Sequence, residues 1–263
     1  MTVTHIDTVK LAIDRGLGTI TISRPDAANA LDRTTKEALM SAVLRAAGNT
    51  SLRAILLDCD GENFCVGQDL GEHVDALRAN PATAMNTIKE HYNPLIEALN
   101  SVAVPVIAAI RGACVGAGLG LALAADIRIA AEGTTFATAF TGVGLASDSG
   151  LSRALLHAVG ASRTAGLMLL GDRFSAQDAF AWGLVHRVVG EAEMDDTVQQ
   201  LAYRLAEGPT EAFKHIKELL RLPGLSEALE RERIAQETLG TTDDHRAAVE
   251  AFLAKTQPQF RGQ

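Results

Sequence analysis

Cysteine is scarce in this chain of 263 residues: Cys59, Cys65 and Cys114 are the only three. The odd count, with no Cys-x-x-Cys pair and no clustered histidine, excludes a disulfide framework and the usual zinc spacings, so no metal is expected. Lying in or beside apolar runs, the three thiols read as reduced and buried. A basic surplus is also missing. With 24 Lys and Arg against 32 Asp and Glu, the formal net charge is -8, which argues against a nucleic-acid or membrane-surface binder. No uninterrupted apolar stretch reaches membrane-spanning length. Met1-Thr2-Val3-Thr4-His5 lacks the basic flank and apolar block of a signal peptide, so a cytoplasmic protein is expected. There is no Gly-x-Gly-x-x-Gly, no Gly-Lys-Ser/Thr, no fixed-period repeat and no low-complexity segment. What is present, 47% hydrophobic and 21% charged residues, suits one globular protein able to bury a substantial core.

The most informative stretch runs from Ala109 to Asp126. An apolar, β-branched run at 104–110 reads as a buried strand, and 119–125, rich in Leu and Ala, as a buried helix. Between them stand Gly112, Gly116 and Gly118, with Gly120 just inside the helical run. A strand feeding a helix through small residues exposes the unpaired N–H groups of the helix's first turn. Such a turn suits a phosphate, or an oxygen that turns negative during a reaction. It also suits plain tight packing of strand on helix.

Residues 9–13 and 19–23 read as a hairpin, and Asp32 or Thr34 can cap a helix reaching to about residue 47. A strand at 53–59 leads into the small-residue turn Phe64-Cys65-Val66-Gly67-Gln68-Asp69-Leu70, the second of its kind. Residues 71–82 read as a mobile polar connector and 83–99 as a helix that Pro94 kinks or ends. Short strands at 127–131 and 134–138 precede a turn-rich loop at 139–152, of the length that usually carries function. Helices follow at 153–159, 162–170 and 176–181, then a strand at 184–189 and helices at 194–206, 210–221, 225–239 and 243–255. The expectation is an α/β core with several small sheets, residues 1–200, and a helical region at 201–263 that makes subunit contacts.

Motifs spread over nearly the whole chain resemble those of the crotonase, or enoyl-CoA hydratase/isomerase, superfamily. They are Ser23-Arg24-Pro25 with Asn29-Ala30-Leu31, the 64–70 turn, Gly112 to Asp126, Gly171-Asp172-Arg173-Phe174-Ser175-Ala176 with Ala181-Trp182-Gly183-Leu184-Val185, and Phe252-Leu253-Ala254-Lys255. Tyr92-Asn93-Pro94-Leu95, Ala139-Phe140-Thr141, Gly144-Leu145, Asp148 and Pro258-Gln259-Phe260 are most similar to the 1,2-epoxyphenylacetyl-CoA isomerase branch, which belongs to phenylacetate breakdown. The resemblance implies a crotonase-like spiral of ββα units closed by a C-terminal helical oligomerisation region, assembled as a trimer or a dimer of trimers. It implies an acyl-CoA thioester as substrate, with coenzyme A part of that substrate and no further cofactor, nucleic acid or membrane.

By the same resemblance, the backbone N–H groups of Gln68 and Ala117 hold the thioester oxygen. Arg24, Ala28, Cys65, Val66, Phe252 and Lys255 match positions near the coenzyme A moiety. The two glutamates of the hydratases correspond to Gly120 and Phe140, neither of which moves a proton. Asp148 corresponds to a catalytic aspartate, and its other role by sequence is to cap the helix starting near Ser149. Phe140, Val143 and Leu145 are expected to keep its surroundings dry, and Leu151, standing where the family has glycine, to narrow the acyl pocket. Asp69 reads as a structural turn residue, and Asp126 as solvated or capping. The expected activity is double-bond migration, or rearrangement of a ring epoxide, through an enolate served by one Asp base. The alternatives are hydration of a 2-enoyl-CoA in fatty-acid β-oxidation, and an acyl-CoA binder without activity.

Overall fold

The computed structural model describes residues 2–6, 8–222 and 224–263. The chain opens with β1 (Thr2–Ile6), β2 (Val9–Asp14) and β3 (Leu17–Ile22), three antiparallel neighbours. Helix α1 (Arg33–Ala47) then starts where expected, because the Asp32 carboxylate accepts from Thr35 N at 2.8 Å. Strand β4 (Ala54–Cys59) pairs in parallel with β3, and β5 (Val106–Ile110), β7 (Ile127–Ala131) and β10 (Arg187–Val189) continue the sheet in parallel. The result is one seven-stranded sheet in the order β1-β2-β3-β4-β5-β7-β10. A second sheet of three strands holds β6 (Ala113–Val115), β8 (Thr135–Ala137) and β9 (Phe174–Ser175). The expectation of several small sheets is corrected. Short strands that start from 21 to 60 residues apart in sequence look separate, yet parallel crossovers stack them edge to edge.

Alternation along the central strands serves two cores. Ile55 and Leu57 of β4, with Val106, Ala108 and Ile110 of β5, face a core built with α1, α3 (Asn93–Ser101) and α4 (Ala117–Leu123). Ala54, Leu56, Ile107 and Ala109 face the other way, onto α7 (Met194–Ala206) through Met194, Val198, Ala202 and Ala206. A parallel sheet covered on both faces must be apolar throughout, which is why these strands read as continuous runs. Helix α7 crosses residue 200.

The long helix α5 (Leu151–Leu170) breaks at Gly160, at φ 76° and ψ 169°, between the two helices expected there. Strand β9, α6 (Ala176–Ala181) and β10 follow it, and α8 (Thr210–Leu219), α9 (Leu225–Leu239) and α10 (Asp243–Ala254) close the chain. Residues 71–82 are a correction: α2 (Leu70–Ala79) occupies most of them. The Asp69 carboxylate caps it through Glu72 N at 3.0 Å, and Asp-x-x-Glu is a helix-start signature. Before α3 the backbone makes one π-turn over Ile88–Tyr92, with Asn93 N bonded to Ile88 O. The wider turn spares a bond that Pro94 could not donate. No described helix is long and apolar enough to cross a membrane.

Asp126 is exposed, as expected, but it also ties two elements together. Its Oδ2 accepts from Val106 N at the start of β5 (2.7 Å) and from Lys217 Nζ on α8 (2.5 Å), which also reaches Val104 O at 2.8 Å. Burial lowers the Lys217 pKa, against the pull of Asp126. This is one of the polar ties between the helical tail and the sheet. Lys217→Met, which keeps the stem and removes the charge, is expected to lower stability in urea unfolding by about 1–2 kcal/mol, a modest loss because Asp126 is one-third exposed.

Candidate active site

Parallel neighbours β4 and β5 send their following segments out of the same end of the sheet. Those segments pair in turn: Phe64 N donates to Arg111 O (2.8 Å), Cys65 N to Ala113 O (3.1 Å) and Val115 N to Cys65 O (3.0 Å). Just beyond this ladder Gly67 lies at φ 88°, and a Cβ there would sit 3.0 Å from Val115 O and 3.2 Å from Ala117 N. A side chain at residue 67 would crowd the contact between the two turns and strain its positive φ, so glycine suits the position. Past the contact, Gln68 N and Ala117 N have no acceptor among the described residues. Ala117 opens α4, whose N-cap Gly116 offers no side-chain acceptor, so its N–H carries the positive end of that helix.

Gln68 is held on every side. Leu31 N donates to Gly67 O (2.7 Å) and Asp69 N to Leu31 O (3.1 Å), bracketing its peptide. Its side-chain Oε1 accepts from Tyr92 Oη (2.7 Å) and from Lys36 Nζ (3.0 Å), and its Nε2 donates to Glu72 Oε1 (3.0 Å). The π-turn sets Tyr92 here, fully buried.

Asp148 lies half-buried in the loop that precedes α5. Burial raises its carboxyl above the usual carboxylate range, while the Ser149 hydroxyl, donating to Oδ1 at 2.8 Å, and the Lys36 charge pull it back. Ser149 packs on Gly120, where a Cβ would come within 2.6 Å of Ser149 Cβ and 2.8 Å of Ser149 O. Gly120 is one helical turn past Ala117, so the Asp148 loop rests on the helix that carries one of the two free amides. The contact leaves no room for a side chain at residue 120. Gly120, Ser149 and Gly150 also line a cleft of about 540 Å³ with Ile96, Leu123 and Arg153.

The sequence placed some residues differently. Asp148 does not cap α5: the N-cap is Gly150, without a side-chain bond. Leu151 is fully buried in the core, so it narrows no open pocket; as the first residue of α5 it points inward with the helix's apolar face. Val143 and Leu145 are 63% and 37% exposed, leaving Phe140 as the one of the three packed against the core; a short 3-10 turn at Thr141–Val143 carries the others outward. Arg24 is engaged within the chain by Asp69 Oδ2 (2.6 Å), Ala30 O (3.0 Å) and Asp32 Oδ2 (3.3 Å). Asp69 is a turn residue, as expected, its pKa lowered by the Glu72 amide and by Arg24. Ala28, at φ 50°, and Val66 are half-buried on the same side as the 64–70 turn, and Cys65 is fully buried. Burial pushes the Cys65 thiol up to about 12, which removes it as a nucleophile. Phe252 and Lys255 are exposed on and just after α10, and among the described residues no hydrogen bond or ion pair joins them to these loops.

Sequence reasoning passed over Lys36 and Glu72 and used Tyr92 only as part of a motif. Lys36 could have been found: with Leu39, Val43 and Ala46 it lies on the apolar stripe of α1, where a charge needs a partner.

Residues 12–263 match the family described as Enoyl-CoA hydratase/isomerase. A protein of Rhodobacter capsulatus named a probable enoyl-CoA hydratase is 38% identical over 97% of this chain and 98% of its own length. The 1,2-epoxyphenylacetyl-CoA isomerase of Escherichia coli is 37% identical over 95% and 97% respectively. Among solved structures, an enoyl-CoA hydratase/isomerase-type protein of Mycobacterium abscessus is similar with a TM-score of 0.95 and 54% identity, over 97% of this chain and all of the other. The crotonase-like α/β fold with C-terminal helices is thereby established.

A carboxyl whose pKa is raised on folding stabilises the protein only below its ordinary value of 3.8; ionisation costs stability as pH rises through the folded value. Asp148→Asn keeps an acceptor for Ser149 and removes the charge. It is expected to unfold at a higher temperature than wild type at pH 7, the gain shrinking as pH falls toward 3.8, as scanning calorimetry at several pH values would show.

Proposed function

The chain belongs to the enoyl-CoA hydratase/isomerase family, and within it we propose an acyl-CoA isomerase that works through an enolate with Asp148 as its only proton carrier. The observation that carries this reading is the pair of unpaired amides, Gln68 N–H and Ala117 N–H, held together by the ladder at Cys65 and lying one helical turn from the Asp148 loop.

With a 3-enoyl-CoA bound, the thioester oxygen accepts from both amides. The Asp148 carboxylate removes a proton from C2, and the electron pair spreads over the thioester carbonyl and the C3–C4 double bond. The protonated Asp148 then returns the proton to C4, leaving a 2-enoyl-CoA and the original carboxylate. No atom is gained or lost, so one acid suffices. Each fixed amide is worth roughly 3 kcal/mol of barrier in comparable oxyanion holes. The raised pKa of Asp148 suits a base that must hold its proton briefly and give it back. Hydration needs groups that activate water. At residue 120 the contact with Ser149 excludes such a side chain, and residue 140 is Phe.

The same reading assigns the coenzyme A end to the surface around Ala28 and Val66, over the buried Cys65. It assigns the exposed apolar residues Leu169, Leu170, Phe180, Leu220 and Leu253 to contacts with other copies, as a trimer or a dimer of trimers. The likeness to the Escherichia coli 1,2-epoxyphenylacetyl-CoA isomerase is what supports placing the enzyme, on this reading, in phenylacetate breakdown with its ring epoxide.

Turnover of a 3-enoyl-CoA in deuterated water, followed by mass spectrometry alongside crotonyl-CoA, tests the assignment. The expected outcome is double-bond migration with little water addition, and loss of about 100- to 10,000-fold in kcat for Asp148→Asn. Hydration of crotonyl-CoA as the faster reaction, or an undiminished Asp148→Asn enzyme, would overturn it.

A further inference from the structure

The side chain of Lys36 is completely excluded from solvent, which is rare for lysine. It sits in the first turn of α1 and its three donors are all taken: Gln68 Oε1 at 3.0 Å, Glu72 Oε1 at 2.8 Å and Thr87 Oγ1 at 2.8 Å. Its Nζ also stands 5.2 Å from the centre of the Tyr92 ring. Nothing is left over for a substrate, and a methionine would fill the same volume without the cost of burying a charge. Three of these four partners meet at one residue, since Tyr92 and Glu72 bond the Gln68 amide as well.

We propose that Lys36 is a positioning residue for the oxyanion-binding amide of Gln68, acting through the Gln68 side chain. This rests on the reading that Gln68 N–H binds the thioester oxygen. Rotation about the two bonds that flank the Gly67–Gln68 peptide plane, Gly67 Cα–C and Gln68 N–Cα, is what would swing that N–H away. The two hydrogen bonds to Leu31 limit the rotation from the main chain, and the Lys36, Tyr92 and Glu72 bonds limit it from the side chain. Because the clamp draws on α1, α2 and the π-turn at once, the donor is fixed before substrate arrives, and a preorganised donor is the kind that lowers a barrier. The Gln68 side chain thus has a task of its own, although only its main chain meets the substrate.

The test uses the intact enzyme and two readouts. One is the split between kcat and KM for the isomerisation. The other is the infrared stretch of a ¹³C-labelled thioester carbonyl in bound butyryl-CoA, which cannot isomerise and moves to lower frequency when both amides grip the oxygen. Lys36→Met is expected to lower kcat by about 10- to 100-fold with KM within about threefold, and to return the carbonyl band part of the way to its free position. Gln68→Leu, which keeps the main-chain N–H, is expected to do the same, and the double variant to be no worse than either alone. A folded Lys36→Met enzyme with wild-type kcat and an unmoved band overturns the proposal. Should Lys36→Met fail to fold, a Gln68→Leu enzyme with wild-type kcat and band overturns it equally. If the band in wild type is not displaced at all, the oxyanion reading itself fails, an outcome separate from the failure of Lys36.

Discussion

Everything at the candidate site depends on a few main-chain hydrogen bonds between the segments after β4 and β5. Cys65 donates to Ala113 and accepts from Val115, which extends the parallel order of the sheet past the strands' own ends. A slip of one residue would turn the amides of Gln68 and Ala117 to the wrong side, since neighbours along an extended segment face opposite ways. The register is defended by packing: Cys65 and Cys114 are wholly buried, and Gly67 admits the opposing backbone where a Cβ would crowd it. Burial of the cysteines also accounts for their inertness, since it raises the thiol pKa of each.

Backbone strain gathers around this ladder. Of the non-glycine residues at positive φ, Ala28 and Asn29 lie in the loop that packs beside the 64–70 turn, Ala139 precedes Phe140, and Ser149 follows Asp148. Asn29 is held by its own side chain, which donates to Asp60 O and Asn63 O. Ser149 is held by its contact with Gly120 and its bond to Asp148. Such conformations persist only where the surroundings fix them. Here they fix the orientation of one carboxyl and the edge of one turn, and Ser149 does it by occupying the space that a side chain at residue 120 would need.

Much of this could be read from the chain itself, because the signals are local. The Asp32 cap, the apolar runs at β4 and β5, the glycine stretch and the break at Gly160 depend on residues within a turn or two of one another. The unread parts are those decided at a distance. Leu151 and Val143 are both apolar residues of one turn-rich segment, yet one is fully buried and the other mostly open; only the packing of α5 on the core separates them. Sheet continuity escaped for the same reason. Helix α2 is a different case, since Asp69 and Glu72 stood in the sequence with the spacing of a helix start, and the polar composition of 71–82 obscured them.

Glu72 links these two kinds of signal. Its amide completes the α2 cap, while its carboxylate, held low by Lys36, the Arg33 amide and Gln68 against the cost of burial, serves α1 and the Gln68 turn. A surface glutamate could satisfy the cap alone, and a hydrophobic pair could join α1 to α2 with less desolvation. What neither could do is define the direction of the Gln68 amide, because apolar contacts have no preferred angle and hydrogen bonds do. On the proposed reading one N–H group must be aimed closely, which gives reason to bury a lysine behind it and pair it with a partly buried glutamate. By that logic the polar cluster beside α1 and the two unpaired amides on the far side of Gln68 are two halves of one arrangement.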